Sequence, residues 1–517
     1  MTSFLTWRAE GKKNLQKGKI LGTGIYILLF AAPVVTLLLE AGNPGLAIPN
    51  SRRWGLLRNT ISLGVLTAIG CMLIGFYAAL GIFTGRLREK SLRWWFLLLL
   101  PVPQYIYALS WMELVRLLGK ICPPLLRMQI FGLLPCVIVE VMAYLPICTA
   151  LALLGLERQD VRLAEAGLLC KKGDTVLYGI CLPQMLPWLL SGAGCVFVLS
   201  ATDFSIPSLF QYNVYAMELF SDFSAYGRAV NSFWLAIPLI ILILIVVMLS
   251  QNGLHQIFIP VRFHSQVRLH LSGLTKGICT AAIGLCVMQI LIPVVTLTVG
   301  IGSWEQLTAS AVLAGEELMI SCGIGLMAAL LTIFPAFAAA AILCSTGNRF
   351  LRMLFLFPLA MPGALIGVGW LELLNGSFLH GITGTLLFPA LGCATRFMPF
   401  GTMILTGMLF RVDKKCLEAA EVLQSSKRKA FLAVKLPMFA PGILASGLLV
   451  FLLAIGDVGV TLMTAPPGKE PFSIKIYNYL HYGASEMVSG FCMVVVLVCL
   501  TVTVAMIGLL RMRKHGN

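Results

Sequence analysis

From residue 230 to residue 250 the chain runs without one charged side chain. Blocks of this kind recur along the 517 residues, and they constrain the fold more than any short motif. A helix crosses a bilayer core with about 20 apolar residues. In lipid, every backbone N–H and C=O must be paired within a helix or around a closed barrel. The chain is 58% hydrophobic and only 12% charged, whereas soluble domains carry about 25% charged residues. The blocks are too long for barrel strands of about 10 residues. An all-α polytopic membrane protein is therefore expected, with twelve spans near 20–40, 60–84, 94–115, 129–154, 187–206, 230–250, 277–299, 318–343, 350–374, 384–410, 440–463 and 486–510. The first block follows a basic tail, is long and lacks a small-residue cleavage site, so it reads as a retained anchor.

A formal charge of +16 raises the question of nucleic acid, and the placement of the charge answers it. With the N-terminus in the cytoplasm, 28 of the 38 Lys and Arg residues fall on the cytoplasmic side, 9 fall on the other, and Arg396 lies within a span. This is the positive-inside asymmetry. It points to a membrane-lipid environment and no nucleic-acid partner, with both termini in the cytoplasm. The fifteen cysteines are scattered mostly within spans, with no Cys-x-x-Cys, which suits small helix-contact residues better than disulfides or metal. Three histidines, His255, His264 and His270, lie in or near the polar 251–275 connection; their spacing matches no metal site, and a solvated linker is the reading. Each Gly-Lys pair (at Gly11, Gly18, Gly119 and Gly468) is followed by Lys, Ile, Ile or Glu, so no phosphate-binding loop is present. No metal ligand set and no catalytic cluster is expected, and any nucleotide energy must come from another chain.

The chain repeats itself. Pro103, Trp111 and Glu113 match Pro362, Trp370 and Glu372 at an offset of 259. Pro183 and Asp203 match Pro437 and Asp457 at 254, and Tyr226-Gly227 matches Tyr482-Gly483 at 256. Co-linear matches of this kind mean a duplicated unit of six spans. An even number of spans gives two parallel repeats related about the membrane normal. The expected organisation is a basic tail over 1–19, a first unit over 20–250, a linker over 251–275, a second unit over 276–510 and a tail over 511–517. Small residues such as Gly363, Gly367 and Ala336 to Ala341 are expected where helices touch.

Each unit carries a polar, helix-forming insert between spans, at 157–187 and 411–441. In the second, Leu417 to Leu423 is made of good helix formers, with Glu418 and Glu421 near the positive end of the dipole. Gln424-Ser425-Ser426 is expected to break that helix, and Lys427 to Val434 to form another. Pro437 then suits the first turn of the next span, where its missing N–H is not needed. The product is a helix–turn–helix across the cytoplasmic mouth, tied to a transmembrane helix. A surface amphipathic helix that merely caps a loop is the plainer reading. The first insert holds Ala164-Glu165-Ala166-Gly167, Leu182-Pro183 and Pro187.

Glu418-Ala419-Ala420 followed by Leu436-Pro437 and Pro441 resembles the EAA loop of permease subunits of binding-protein-dependent ABC importers. Most of both halves shares the likeness, and a chain of two such units resembles the fused permeases of the ferric-iron group, with thiamine and phosphonate permeases similar. Ala465-Pro466-Pro467-Gly468, Ile476-Tyr477 and His481-Tyr482-Gly483 add to it. The resemblance implies the type I importer permease fold in a bacterial inner membrane, two coupling loops docked on an ABC ATPase present in two copies, and an extracytoplasmic solute-binding protein. ATP and Mg would be held by the ATPase, and no cofactor by this chain. Two departures stand out. Gln424 occupies the family's glycine position. In the first copy a gapless match sets Ala164 under Glu418, Glu165 one place late and Cys170 at the glycine position, with Gly173 available for the turn.

Carboxylates inside spans are costly and face a cavity or a partner. Glu113, Glu140, Asp203, Glu372 and Asp457 qualify, with Arg396 as the cation among them. Glu113, Asp203, Glu372 and Asp457 are the path candidates, because paired carboxylates from two halves would attract a cationic or metal-bearing cargo. Helix capping or bonding between spans is the alternative role. An importer channel with ferric iron as cargo, or thiamine or an organophosphonate, is the function expected. An ion-gradient-driven secondary transporter fits the same span count.

Overall fold

The computed structural model describes residues 2–42, 44–85, 92–97, 102–121, 131–226, 231–258, 270–376, 379–424, 426–482 and 485–512. In the first half, α1 (Thr2–Leu39) and α2 (Ser51–Thr84) are long apolar helices. Asn50 starts α2 by accepting from the Arg53 N–H at 2.9 Å. A 3₁₀ turn at Leu92–Leu97 precedes α3 (Gln104–Ile121), and α4 (Leu133–Glu157) follows. The insert forms α5 (Val161–Cys170) and α6 (Gly173–Val176), which runs through a π-helical turn at Leu177–Cys181 into α7 (Leu182–Thr202). Two short helices, α8 (Ser205–Leu209) and α9 (Tyr215–Tyr226), lead to α10 (Ser232–Phe258).

The second half repeats the order. Its elements are α11 (Gly273–Ile301), the short α12 (Trp304–Leu313), α13 (Gly315–Thr346), α14 (Arg349–Leu356), α15 (Gly363–Asn375) and α16 (Leu387–Arg411). The insert gives α17 (Lys414–Leu423) and α18 (Lys427–Ala430), then a π-helical turn at Phe431–Lys435 and α19 (Leu436–Ile455). The chain closes with α20 (Thr461–Thr464), α21 (Phe472–Tyr482) and α22 (Ser485–Met512).

Among the described residues, nine helices are long and apolar enough to cross a membrane, and a bent pair makes a tenth. The other two expected spans fall on α3, which carries Glu113, Arg116 and Lys120, and on α16, which carries Arg396. The expected ninth span is not one helix: the segments on either side of Pro362 meet at 90°. Met361 before it is extended (φ −96°, ψ 126°), as a residue preceding proline must be. Its repeat mate Pro103 sits just before α3 in the same way. The expected fifth and eleventh spans also shift. They start inside the inserts and end at Thr202 and Ile455, short of the expected 206 and 463.

Packing between the halves is reciprocal. The first helix of each half lies against the other half: α1 on α13 and α15, and α11 on α2 and α3. Tyr26 of α1 donates to the Phe355 carbonyl at 2.6 Å, and Gln289 of α11 donates to the Tyr107 hydroxyl at 3.1 Å. Trp370 donates to Thr395 at 3.0 Å, and Thr395 donates to the Leu29 carbonyl at 3.1 Å. That tryptophan therefore ties α15 to α16 and, through Thr395, to α1. Small residues allow these approaches, since a Cβ on Gly369 of α15 would stand 2.8 Å from the Pro33 carbonyl oxygen of α1. In lipid such van der Waals fit replaces the hydrophobic drive between helices. Exposed Leu28, Leu66, Leu291 and Leu330 then face the medium at no cost. The cysteines are free thiols, among the described residues, and most are buried at such contacts.

Candidate functional site

The two inserts build the same object. α5 and α17 are each ten residues long. Asp160 caps the first by accepting from the Arg162 N–H at 3.0 Å, and Asp413 caps the second by accepting from Lys415 at 2.8 Å. These caps fix the register, and it corrects the gapless match. With Asp160 on Asp413, Glu165 falls on Glu418, Ala166 on Ala419 and Gly167 on Ala420; Ala164 falls on Leu417. The turn after α17 is one residue longer, which restores the offset of 254 at the π-helical turns. Nor is a glycine needed where the family has one. Gln424 (φ −91°, ψ 139°) and its counterpart Lys171 (φ −139°, ψ 158°) are extended, a conformation open to any residue. Gly173 serves an approach instead of the turn: a Cβ there would meet the His270 backbone carbonyl. Of the three linker histidines, His264 and the side chain of His255 lie outside the described residues.

Each insert is seated on its own span. Ala164, Ala420 and Ala430 are buried, Gly167 packs against Ile180 and Val176, and Gln159 donates to the Cys181 carbonyl at 2.9 Å. Outward face Glu165, Glu418, Ala166 and Ala419, together with Leu163, Leu169, Val422 and Leu423, the last 80% exposed. Leu182 is half-buried, while Pro183, Leu436 and Pro437 are exposed. The expected break before Pro437 is absent. α18 runs into α19 through the π-helical turn, as α6 runs into α7. Pro183 and Pro437 cannot donate to the fourth residue back, and the widened turn accommodates that gap. The second helix of each insert is thus one rod with a span. The first insert has an extra tie, because Asp174 accepts from the Ser272 N–H at 3.1 Å and from Thr275 Oγ1 at 3.3 Å at the start of α11.

Between α4, α7, α16 and α19 lies a cavity of about 430 Å³. Its walls run from Ala143 to Leu151 on α4 and from Cys195 to Thr202 on α7, with Phe400, Ile404 and Leu449 to Leu453 from the second half. Asp203, Arg396 and Asp457 line its end away from the inserts, and there Pro103 packs on Gly456. Asp203 caps α8, accepting from the Ser205 N–H at 3.1 Å, its hydroxyl at 2.7 Å and the Ile206 N–H at 3.2 Å. Asp457 caps α20 through the Val460 and Thr461 N–H groups at 2.7 and 3.2 Å. Arg396 Nη1 donates to Asp457 at 2.5 Å.

The structure thus brings together two of the four path candidates. Glu113 lies outside the cavity and pairs with Arg116 on its own helix at 2.5 and 2.8 Å. Glu372, near the end of α15, faces Glu40, whose carboxyl is pushed up by burial and then by Glu372 itself. Glu140 is fully buried outside the lining and accepts from Thr67 at 2.9 Å and Ser200 at 2.6 Å. Arg396 joins the site as its cation. Its signal in the sequence is an arginine in an apolar helix at the depth of the repeated aspartates.

Residues 328–514, which include α16, the second insert, Asp457 and the last span, match the family model for the binding-protein-dependent transport system inner membrane component. That stretch of the chain is similar to this permease family. Relatives include a ferric transport system permease protein, FbpB 1, of Haemophilus influenzae, 26% identical over 32% of this chain and 25% of its own length. A 2-aminoethylphosphonate transport system permease protein, PhnV, of Salmonella typhimurium is 26% identical over 37% of this chain and 73% of its own. The spermidine/putrescine permease protein PotC of Escherichia coli is 28% identical over 23% and 46%. The match thus spans a quarter of the Haemophilus relative. The chain is an all-α, multi-pass membrane protein.

Proposed function

We propose that this permease is the channel of an ABC importer, passing a small solute from an extracytoplasmic binding protein through the central cavity into the bacterial cytoplasm. A separate ATPase, present in two copies that hold ATP and Mg, grips α5 and α17 on the cytoplasmic face, the side of both termini. The observation that carries this reading is the continuity of each insert with a cavity wall. α18 runs unbroken into α19, and α6 into α7, so a displacement of either coupling unit moves the wall that ends at Asp457 or Asp203. Ferric iron, thiamine and an organophosphonate are the cargoes considered, and the names of the relatives support iron and the organophosphonate. The guanidinium of Arg396 among the aspartates weighs against a bare multivalent cation.

The test is ATP-driven uptake in proteoliposomes holding permease and ATPase. Glu418→Arg, at an exposed position, is expected to abolish uptake and ATPase stimulation while the permease keeps its melting temperature. Unchanged uptake, or uptake that needs a proton or sodium gradient and no ATPase, would favour the secondary-transporter alternative.

A further inference from the structure

Arg396 is held as a fixed, half-used donor. Phe397 lies under its guanidinium at 5.5 Å. Backbone notches at Gly363 and Gly459 admit it, for a Cβ on Gly459 would stand 2.8 Å from Nη1 and one on Gly363 closer still. Nη1 alone donates to a side chain, that of Asp457. The side chain is 19% exposed and lines the cavity, so its other N–H groups are open to that space. A guanidinium offers five donors in a planar fork, suited to carboxylate and phosphate oxygens.

Asp203 is the repeat mate of Asp457 but has no cation within ion-pair distance among the described residues. Its two oxygens cap α8, and it remains partly exposed on the same cavity wall. The duplication has thus become unequal at one place. One aspartate is ion-paired with Arg396, and the other has no ion-pair partner among the described residues. The end of the cavity presents a donor fork and a second carboxyl group outside the ion pair. Around them the wall is mostly apolar, from Val198, Leu199, Phe400 and Leu453. A volume of about 430 Å³ lies within the usual range of small-molecule sites, about 300–1,000 Å³.

We propose that this end of the cavity is a transient binding site for a zwitterionic solute, its phosphonate or carboxylate held by Arg396 and its ammonium by Asp203. The proposal rests on the importer reading above and narrows its cargo class. A lone cation finds only the Asp203 carboxylate, and a lone anion finds only the donors of Arg396. A solute bearing both charges meets both the guanidinium of Arg396 and the carboxylate of Asp203, and charged groups in a low-dielectric setting gain most from being paired and hydrogen-bonded.

The experiment is calorimetric titration of the full permease in lipid nanodiscs with four probes: 2-aminoethylphosphonate, β-alanine, ethylphosphonate and ethylamine. At least one zwitterion is expected to bind about tenfold or more tightly than both single-charge probes, the scale of a lost charge-assisted hydrogen bond. Asp203→Asn keeps an oxygen to cap α8, and Arg396→Lys keeps a charge for Asp457. Each is expected to cost about tenfold for the zwitterion at an unchanged melting temperature. Equal binding of ethylamine and the zwitterions, or binding of neither zwitterion, overturns the proposal, and so does indifference to both substitutions. ATPase stimulation, measured after the separate ATPase is added to the same nanodiscs, separates the two readings. Stimulation without zwitterion binding sinks this site and spares the importer, whereas loss of stimulation tells against the importer itself.

Discussion

Asp457 is buried and charged, and its value to the fold depends on two unlike partners, the α20 backbone and Arg396. Removing one member of a buried pair leaves an uncompensated charge, at a cost of about 3–5 kcal/mol. Arg396→Gln is therefore expected to lower the melting temperature of the detergent-solubilised protein markedly, and the double variant Arg396→Gln/Asp457→Asn to recover part of it. A single variant as stable as the parent would mean that the pair is not what anchors α20. Glycines show the same dependence on surroundings. Gly468 (φ 74°) is required by its turn, closed by the Lys469 N–H on the Pro466 carbonyl at 3.0 Å, and the Pro-Pro-Gly run announces it. Gly173 has an ordinary φ, and only the His270 backbone beside it explains why no side chain fits. Asp203 and Asp457 were visible as intramembrane carboxylates. Their capping role appears only once the short helices α8 and α20 are seen to begin beside them.

At the scale of the element, the insert helices α5 and α17 separate a buried face from an exposed one. Glu418 is exposed and Ala420 is buried. Ala420→Trp is thus expected to disorder α17, read as rapid hydrogen exchange there, whereas Glu418→Arg leaves exchange unchanged. Capping gives a second test. Asp160→Ala and Asp413→Ala each remove a bond worth about 1 kcal/mol to the helix, so amide exchange should quicken over α5 or α17 and stay slow in the spans. Equal exchange in parent and variant would remove the caps from the account. The helical inserts and their Leu-Pro endings were legible because propensity and charge are local. The register of the first copy was not, since a one-residue difference in turn length cannot be placed until both caps are seen. The unbroken rods were missed for a related reason. Proline signals a break, and the π-helical turn that absorbs it has no signature of its own.

At the scale of the whole molecule, sidedness is open to direct measurement. Cys170 on α5 and Cys416 on α17 are both exposed. In variants that keep one of them as the sole cysteine, an impermeant maleimide is expected to label inverted vesicles and to spare right-side-out ones. The reverse pattern would place the inserts outside the cell and remove the ATPase from the proposal. The sequence by itself determined that the chain is helical, crosses the membrane many times and repeats, because lipid forces backbone pairing into apolar blocks long enough to count. Span number was overstated as continuous helices, since Pro362 bends one of them and charges within α3 and α16 set those two apart from the apolar nine. Only the tertiary structure decided that the first helix of each half packs on the other, that Asp203 and Asp457 line one cavity while Glu113 and Glu372 do not, and that Arg396 forms its ion pair with Asp457. These are matters of long-range apposition. A periodicity or a motif reports what lies within a few turns of helix, and the face that one helix offers to another 250 residues away is set by how all of them fit at once.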